Sequence, residues 1–165
     1  MNIWVENILR YVVLLFLQVL LINNLYMAGV CSPCIYMLFV LFLPVTLPRW
    51  ADLLIGFAAG LVLDVFCDTL GVHTAATTLI AYLRGLLIKN FVQENERLIG
   101  TPSSRTFLLP AFLKYTIILV TSYHVVVFSM ITFNIHLWWL TLLQIIVSSL
   151  ICIALVLLYD RVRTR

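Results

Sequence analysis

The sequence predicts an all-α membrane protein: a six-transmembrane-helix bundle formed by a single integral domain over residues 1–165. Three observations lead there. The chain is 64% hydrophobic and 10% charged, with a mean hydropathy of +1.12, whereas an ordinary soluble domain is about 45–50% apolar and about 25% charged. The apolar residues are gathered into six runs with short polar joints between them. All ten Lys and Arg residues fall on one side of a chain that crosses six times. The net charge of +3 is too small and too scattered for nucleic-acid binding, and no stretch is long enough to fold as a sizeable soluble domain.

The first span is expected over 8–27. It follows a short segment ending in Arg10 and is apolar from Tyr11 to Ile22. Met27-Ala28-Gly29 has the look of a cleavage site, but Arg10 is offset by Glu6 and many spans follow, so a retained helix is expected. Gln18, in mid-run, reads as an interhelical hydrogen-bonding residue. The second span, 33–48, opens at Pro33, which suits a first helical turn because its missing N–H costs nothing there. Pro44 and Pro48 weaken and end it. It is shorter than the roughly 20 residues of a straight span, so it borrows 30–32 or sits in thinned bilayer. Arg49 and Trp50 read as interface anchors.

The third span, 52–67, and the fourth, 72–89, form a hairpin turned by Cys67-Asp68-Thr69-Leu70-Gly71. Gly56, Gly60 and Asp64 are four apart, so a helix places them on one narrow face. On the fourth span Thr74, Thr78 and Tyr82 share a face, and Ala81 and Gly85 are a small-xxx-small pair of the kind that packs closely. Arg84 and Lys89, near its end, are expected to snorkel to the headgroups. A polar loop at 90–106 carries Glu94, Glu96, Arg97 and Arg105, with Gly100 and Pro102 marking a turn. The fifth span, 107–133, has Pro110 and Lys114 in its first turns, so its embedded part begins near Tyr115. The sixth, 137–159, runs between Trp138-Trp139 and Tyr159, an aromatic belt at both boundaries. Gln144 and Ser148 share one of its faces, and a basic tail follows.

Six spans put both termini on one side. The basic residues gather there, and the loops at 23–32, 67–71 and 134–136 hold no Lys or Arg. The positive-inside rule makes that side cytoplasmic, including the 90–106 loop.

Little in the chain suggests chemistry. Asp64 lies about 18 Å along its helix from Asp52, in the outer half of a ~30 Å core. It is either a proton or ion site, or a group that caps the outer turn or meets a partner. Proton transport usually needs a chain of ionisable groups at depth, and only Asp68, His73 and His124 accompany it, so structure or partner contact is the favoured reading. His73, His124 and His136 share no metal-binding spacing with each other or with a carboxylate. Cys31-Ser-Pro-Cys34 has CxxC spacing without a second ligand pair, so these cysteines read as loop and cap residues, able to pair locally if they face an oxidising compartment. Cys67 and Cys152 read as small hydrophobes. No nucleophilic triad, phosphate loop or metalloprotease motif occurs, so neither enzymatic activity nor a cofactor is expected. Gly56-Phe-Ala-Ala-Gly60 is a GxxxG pattern, whose simplest meaning is close packing on the fourth helix.

The hairpin resembles the MreD family of bacterial rod shape-determining membrane proteins. The matching elements are Leu47-Pro48-Arg49, then Gly56-Phe57 with Gly60 and Asp64, Leu70-Gly71-Val72 after the turn, and Ile80-Ala81-Tyr82-Leu83. The resemblance implies a six-helix fold similar to the vitamin-capture subunits of energy-coupling transporters. It also implies a non-enzymatic scaffold in the inner membrane that associates with the bitopic protein MreC. Through that complex the scaffold would be linked to MreB filaments and to the peptidoglycan polymerase and transpeptidase. No catalytic residue comes with the family; Gly56, Gly60, Asp64, Gly71 and Tyr82 are the candidates for helix packing or partner contact. The competing reading, from fold analogy alone, is a small-molecule-capture subunit of a transporter.

Overall fold

A computed structural model describes residues 3–22, 33–91, 100–132 and 138–164. The expected outer loops at 23–32 and 134–136, with Met27, Cys31 and His136, lie outside the described residues. So do Glu94, Glu96 and Arg97 of the 90–106 loop. All regular structure among the described residues is helical: α1 (Ile3–Leu17, running on as a π-helical turn, Gln18–Ile22), α2 (Met37–Leu41), α3 (Arg49–Cys67), α4 (Val72–Phe91), α5 (Leu109–Ile131) and α6 (Trp138–Arg163).

Among the described residues three helices are long and apolar enough to cross a membrane: Arg49–Cys67, Leu109–Ile131 and Trp138–Arg163. Their exposed faces are apolar, carrying Leu54, Val65, Ile117, Leu150 and Leu158 among others, as expected of surfaces that meet lipid. In α1 the apolar stretch is shorter, Ile8–Leu20. Most of the bounds differ from those expected by a few residues, as helix ends commonly do, with α3 starting directly after Pro48.

The second element departs most from its expected form. In place of a helix through 33–48, only Met37–Leu41 is α-helical. Pro44 has no N–H for the Val40 carbonyl, which instead accepts from Leu43 N–H at 3.4 Å. Beyond it the chain is turn and extended backbone until Pro48 (φ −67, ψ 147) leads into α3, whose first turn closes through Ala51 and Asp52 N–H groups on the Pro48 carbonyl at 2.9 and 3.1 Å.

This short, broken element is the centre of the molecule. Tyr36 through Leu43 are all buried, and the segment is walled in by the other helices. Tyr11 of α1 meets Phe39, Tyr123 of α5 meets Tyr36, and Phe112 of α5 and Tyr159 of α6 meet Phe42. Around it α3 packs on α4, α4 on α5, and α5 on α6. The α3–α4 pair is antiparallel and closed by a tight turn. Asp68 takes a left-handed conformation (φ 54) with its N–H on the Asp64 carbonyl, and Gly71 supplies a second positive φ of 82, which glycine adopts without steric cost.

Candidate functional site

The α3–α4 hairpin approaches as closely as it does because two α3 positions have no side chain. A β-carbon at Gly56 would lie 2.8 Å from Ala81 Cβ and 3.1 Å from the Thr77 carbonyl oxygen. One at Gly60 would lie 2.5 Å from Thr74 Cα and 2.8 Å from the His73 carbonyl oxygen, and would overlap Thr77 Oγ1. At Gly60 the obstacle is backbone, which cannot step aside.

One turn beyond Gly60, Asp64 is buried at the mouth of the hairpin. Its Oδ1 accepts from Thr69 Oγ1 (2.5 Å) and His73 N–H (2.9 Å), and its Oδ2 from Thr74 N–H (2.8 Å) and Thr74 Oγ1 (2.5 Å). A carboxylate that only accepts fits all four donors. Two of these donors are first-turn N–H groups of α4, which an α-helix leaves without intrahelical partners. Asp64 therefore does from the neighbouring helix what an N-cap side chain does locally, and its charge lies at the positive end of the α4 dipole.

A second buried polar group sits at the other end of the hairpin. Arg84 does not snorkel to the headgroups; it is fully buried. Its Nη1 donates to Asp52 Oδ2 at 2.5 Å, while Nη2 donates to the Leu43 carbonyl and, at 3.1 Å, to the Pro44 carbonyl. The reason lies in the break after α2. Pro44 ends the helix, its last carbonyls lose their i+4 donors, and inside an apolar bundle each orphan carbonyl is costly. Side chains from three helices replace the missing donors: Tyr115 Oη of α5 bonds the Leu41 carbonyl (2.8 Å), Arg10 of α1 the Phe42 carbonyl (3.3 Å), and Arg84 of α4 the next two. At the other end of the same element Gln18 accepts from Ile35 N–H at 2.7 Å and donates to the Pro33 carbonyl at 3.4 Å.

Between these two points runs a third tie. Tyr123 Oη is 3.0 Å from Tyr36 Oη and 2.7 Å from His73 Nδ1, so α5, α4 and the approach to α2 meet in one buried row. His124 faces elsewhere, with Nδ1 on the Val120 carbonyl of its own helix at 2.8 Å.

Of the five residues singled out by sequence, Gly56, Gly60 and Asp64 lie along the α3–α4 contact. Gly71 lies in the turn, with open space where a β-carbon would be. Tyr82 is on the outward face, 56% exposed. The structure does not bring all five together. Sequence reasoning missed Asp52, Arg84, Tyr36, Tyr115 and Tyr123. The only available signal was an acid at the start of one hairpin helix and a base near the end of the next, positions that an antiparallel pair brings level.

An all-helical membrane protein with a set of buried polar side chains that tie helices to one another is the class these features define. The chain belongs to the MreD family: the model of that family, rod shape-determining protein MreD, matches residues 2–162, nearly the whole length. No curated protein and no solved structure matches it.

Proposed function

We propose that this protein is a non-enzymatic scaffold of the bacterial cell-elongation machinery, crossing the inner membrane six times with both termini in the cytoplasm. The match to a rod shape-determining family over nearly the whole chain carries this reading. In the proposed assembly the bundle presents a membrane-embedded face to the single helix of an MreC-like bitopic protein. That complex connects it to MreB filaments and to the peptidoglycan polymerase and transpeptidase. The geometry supports a rigid role. Asp64, Arg84, Gln18 and the Tyr36–Tyr123–His73 row all bond across elements, which suits a part that must hold its shape while partners pull on it. The segment 33–48 counts as a span in this reading although little of it is helical, because non-helical backbone is tolerated at membrane depth when protein surrounds it.

The test is complementation of a strain lacking the gene, with affinity recovery of the complex from native membranes. Wild type is expected to restore rod shape and to bring down the bitopic partner, and Asp64→Ala to weaken both. Normal shape with no bitopic partner recovered would end the scaffold reading. A metabolite bound in stoichiometric amount would favour the transport class instead.

A further inference from the structure

On the outward side of the α3–α4 hairpin lies an apolar groove of about 740 Å³, walled by Leu53, Phe57 and Leu61 of α3 and by Ala75, Leu79 and Tyr82 of α4. Toward the start of α3 it continues into a smaller recess of about 80 Å³ that shares Leu53 and Tyr82 and ends at Arg49 and Gly85. From Gly85 to Gly71, which lines the far end, the crease follows α4 for about 21 Å at 1.5 Å per residue. That is more than one leaflet of a ~30 Å hydrocarbon core.

The ends of the crease differ in charge. At the Gly71 end no Lys or Arg lines it among the described residues. At the other end Arg49 lays its stem over Gly85, where an added β-carbon would be 3.8 Å from Arg49 Cγ. Lys89, one turn past Gly85, shares its helix face. Both side chains are exposed, and neither makes an ion pair or hydrogen bond among the described residues. Between them and the apolar walls stands Tyr82, an exposed residue that likewise has no hydrogen-bond partner among the described residues.

This order of features, two cations, a phenol and then a long apolar trough, has the polarity of a phospholipid: phosphate, ester region, acyl chain. We propose that the α3–α4 crease is a binding site for one anionic phospholipid. Its headgroup lies between Arg49 and Lys89, its ester region is within reach of Tyr82, and one acyl chain lies along Phe57, Leu61, Ala75 and Leu79. Zwitterionic lipid fills the trough with the same chain but gains less from the two cations, so the site selects by headgroup charge. Binding rests only on insertion into lipid; that the lipid comes from the cytoplasmic leaflet rests on the orientation proposed above.

The test uses the full-length protein purified in detergent, incubated with equal amounts of phosphatidylglycerol and phosphatidylcholine of identical chains, with bound lipid read by native mass spectrometry. Wild type is expected to retain phosphatidylglycerol in preference. Arg49→Gln and Lys89→Gln should each cut that preference about five-fold, the worth of one basic side chain at an anionic surface. Ala75→Phe, at an exposed position that leaves the core untouched, should lower retention of both lipids. Each variant is first checked for unchanged thermal unfolding, and Arg105→Gln, off the crease, serves as the cation control. Equal retention of the two lipids by wild type overturns the proposal, as does an equal loss in Arg49→Gln and Arg105→Gln. Ala75→Phe that leaves lipid retention intact while abolishing recovery of the bitopic partner also overturns it, and assigns the crease to a protein helix. The lipid-retention readings depend neither on which way the chain faces nor on assembly with a partner.

Discussion

Arg84 is the residue whose loss should cost most. Removing it strands the Asp52 carboxylate and the Leu43 carbonyl in an apolar interior and leaves the Pro44 carbonyl only the Leu47 N–H at 3.4 Å, and breaking a buried ion pair from one side costs about 3–5 kcal/mol. Arg84→Met is expected to lower the unfolding temperature in detergent sharply. Asp52→Leu combined with Arg84→Met should recover part of the loss, since the carboxylate is then gone, although the Leu43 carbonyl stays unserved; a double variant no better than the single would contradict this account of the pair. Asp64 is a milder case. Asp64→Ala removes four accepted hydrogen bonds, but two come from threonine hydroxyls that can turn elsewhere, so the net cost should be near that of a lost helix cap, about 0.5–2 kcal/mol. Asp64→Asn, which keeps one acceptor oxygen, should fall between wild type and alanine in the same melt. Asp64 stood out in the sequence because an acid in so apolar a run is anomalous. Arg84 did not, because a base near a helix end looks the same whether it reaches the headgroups or turns inward. Its partners lie 32 and 40 or more positions away, and only the register of the hairpin brings them level.

At the scale of elements, the hairpin was legible and the second span was not. Gly56 and Gly60 announce a close helix contact by spacing alone, and α4 is where they meet it. Their sensitivities should differ. Gly56→Ala presses on a methyl group and a carbonyl, whereas Gly60→Ala drives into the α4 backbone. Overpacking of this kind costs about 1–3 kcal/mol, with Gly60→Ala at the upper end and Gly56→Ala below it; chemical unfolding of the two variants side by side checks the order. The 33–48 segment was expected to be helical because its residues are apolar throughout. Pro44 marked the break, whereas Pro48 leads into α3 instead of closing the second helix. What they could not reveal is that the chain leaves the helix at Leu41 and still stays buried as far as Pro44. That is possible only because Tyr115, Arg10 and Arg84, from three separate helices, take over the carbonyls. Such compensation is a property of the tertiary arrangement and leaves no local trace.

For the whole molecule, the all-helical membrane class followed from composition and run length, before any site was considered. The side of each terminus is the proposal most open to direct measurement. Fusions of a cytoplasm-active and a periplasm-active reporter to the C-terminus, beyond the basic Arg161 and Arg163, should give signal only from the cytoplasm-active one; the reverse result would invert the bundle and move the lipid crease to the other leaflet. The family membership adds a constraint that sequence periodicity alone could not. A shape-determining role asks for persistence under load, and here polar ties join elements distant in sequence: Tyr36 to Tyr123, Tyr115 to Leu41, and the backbone of Ser104 to Asp160 at 3.2 Å.

The broken second element also dictates an order of manufacture. A ribosome delivers residues 33–48 to the bilayer well before it delivers Arg84 or Tyr115, and until those arrive the Leu41 and Leu43 carbonyls lack the side-chain donors they have in the finished bundle. The early chain is therefore committed to wait, at the insertion machinery or at the water interface, for helices not yet made. Nascent chains halted after α3 should be short-lived and sensitive to membrane proteases, and those halted after α5 should persist. This member of a rod shape-determining family would in this way carry its own check on being assembled, since its centre becomes tolerable to the membrane only when the later helices close around it.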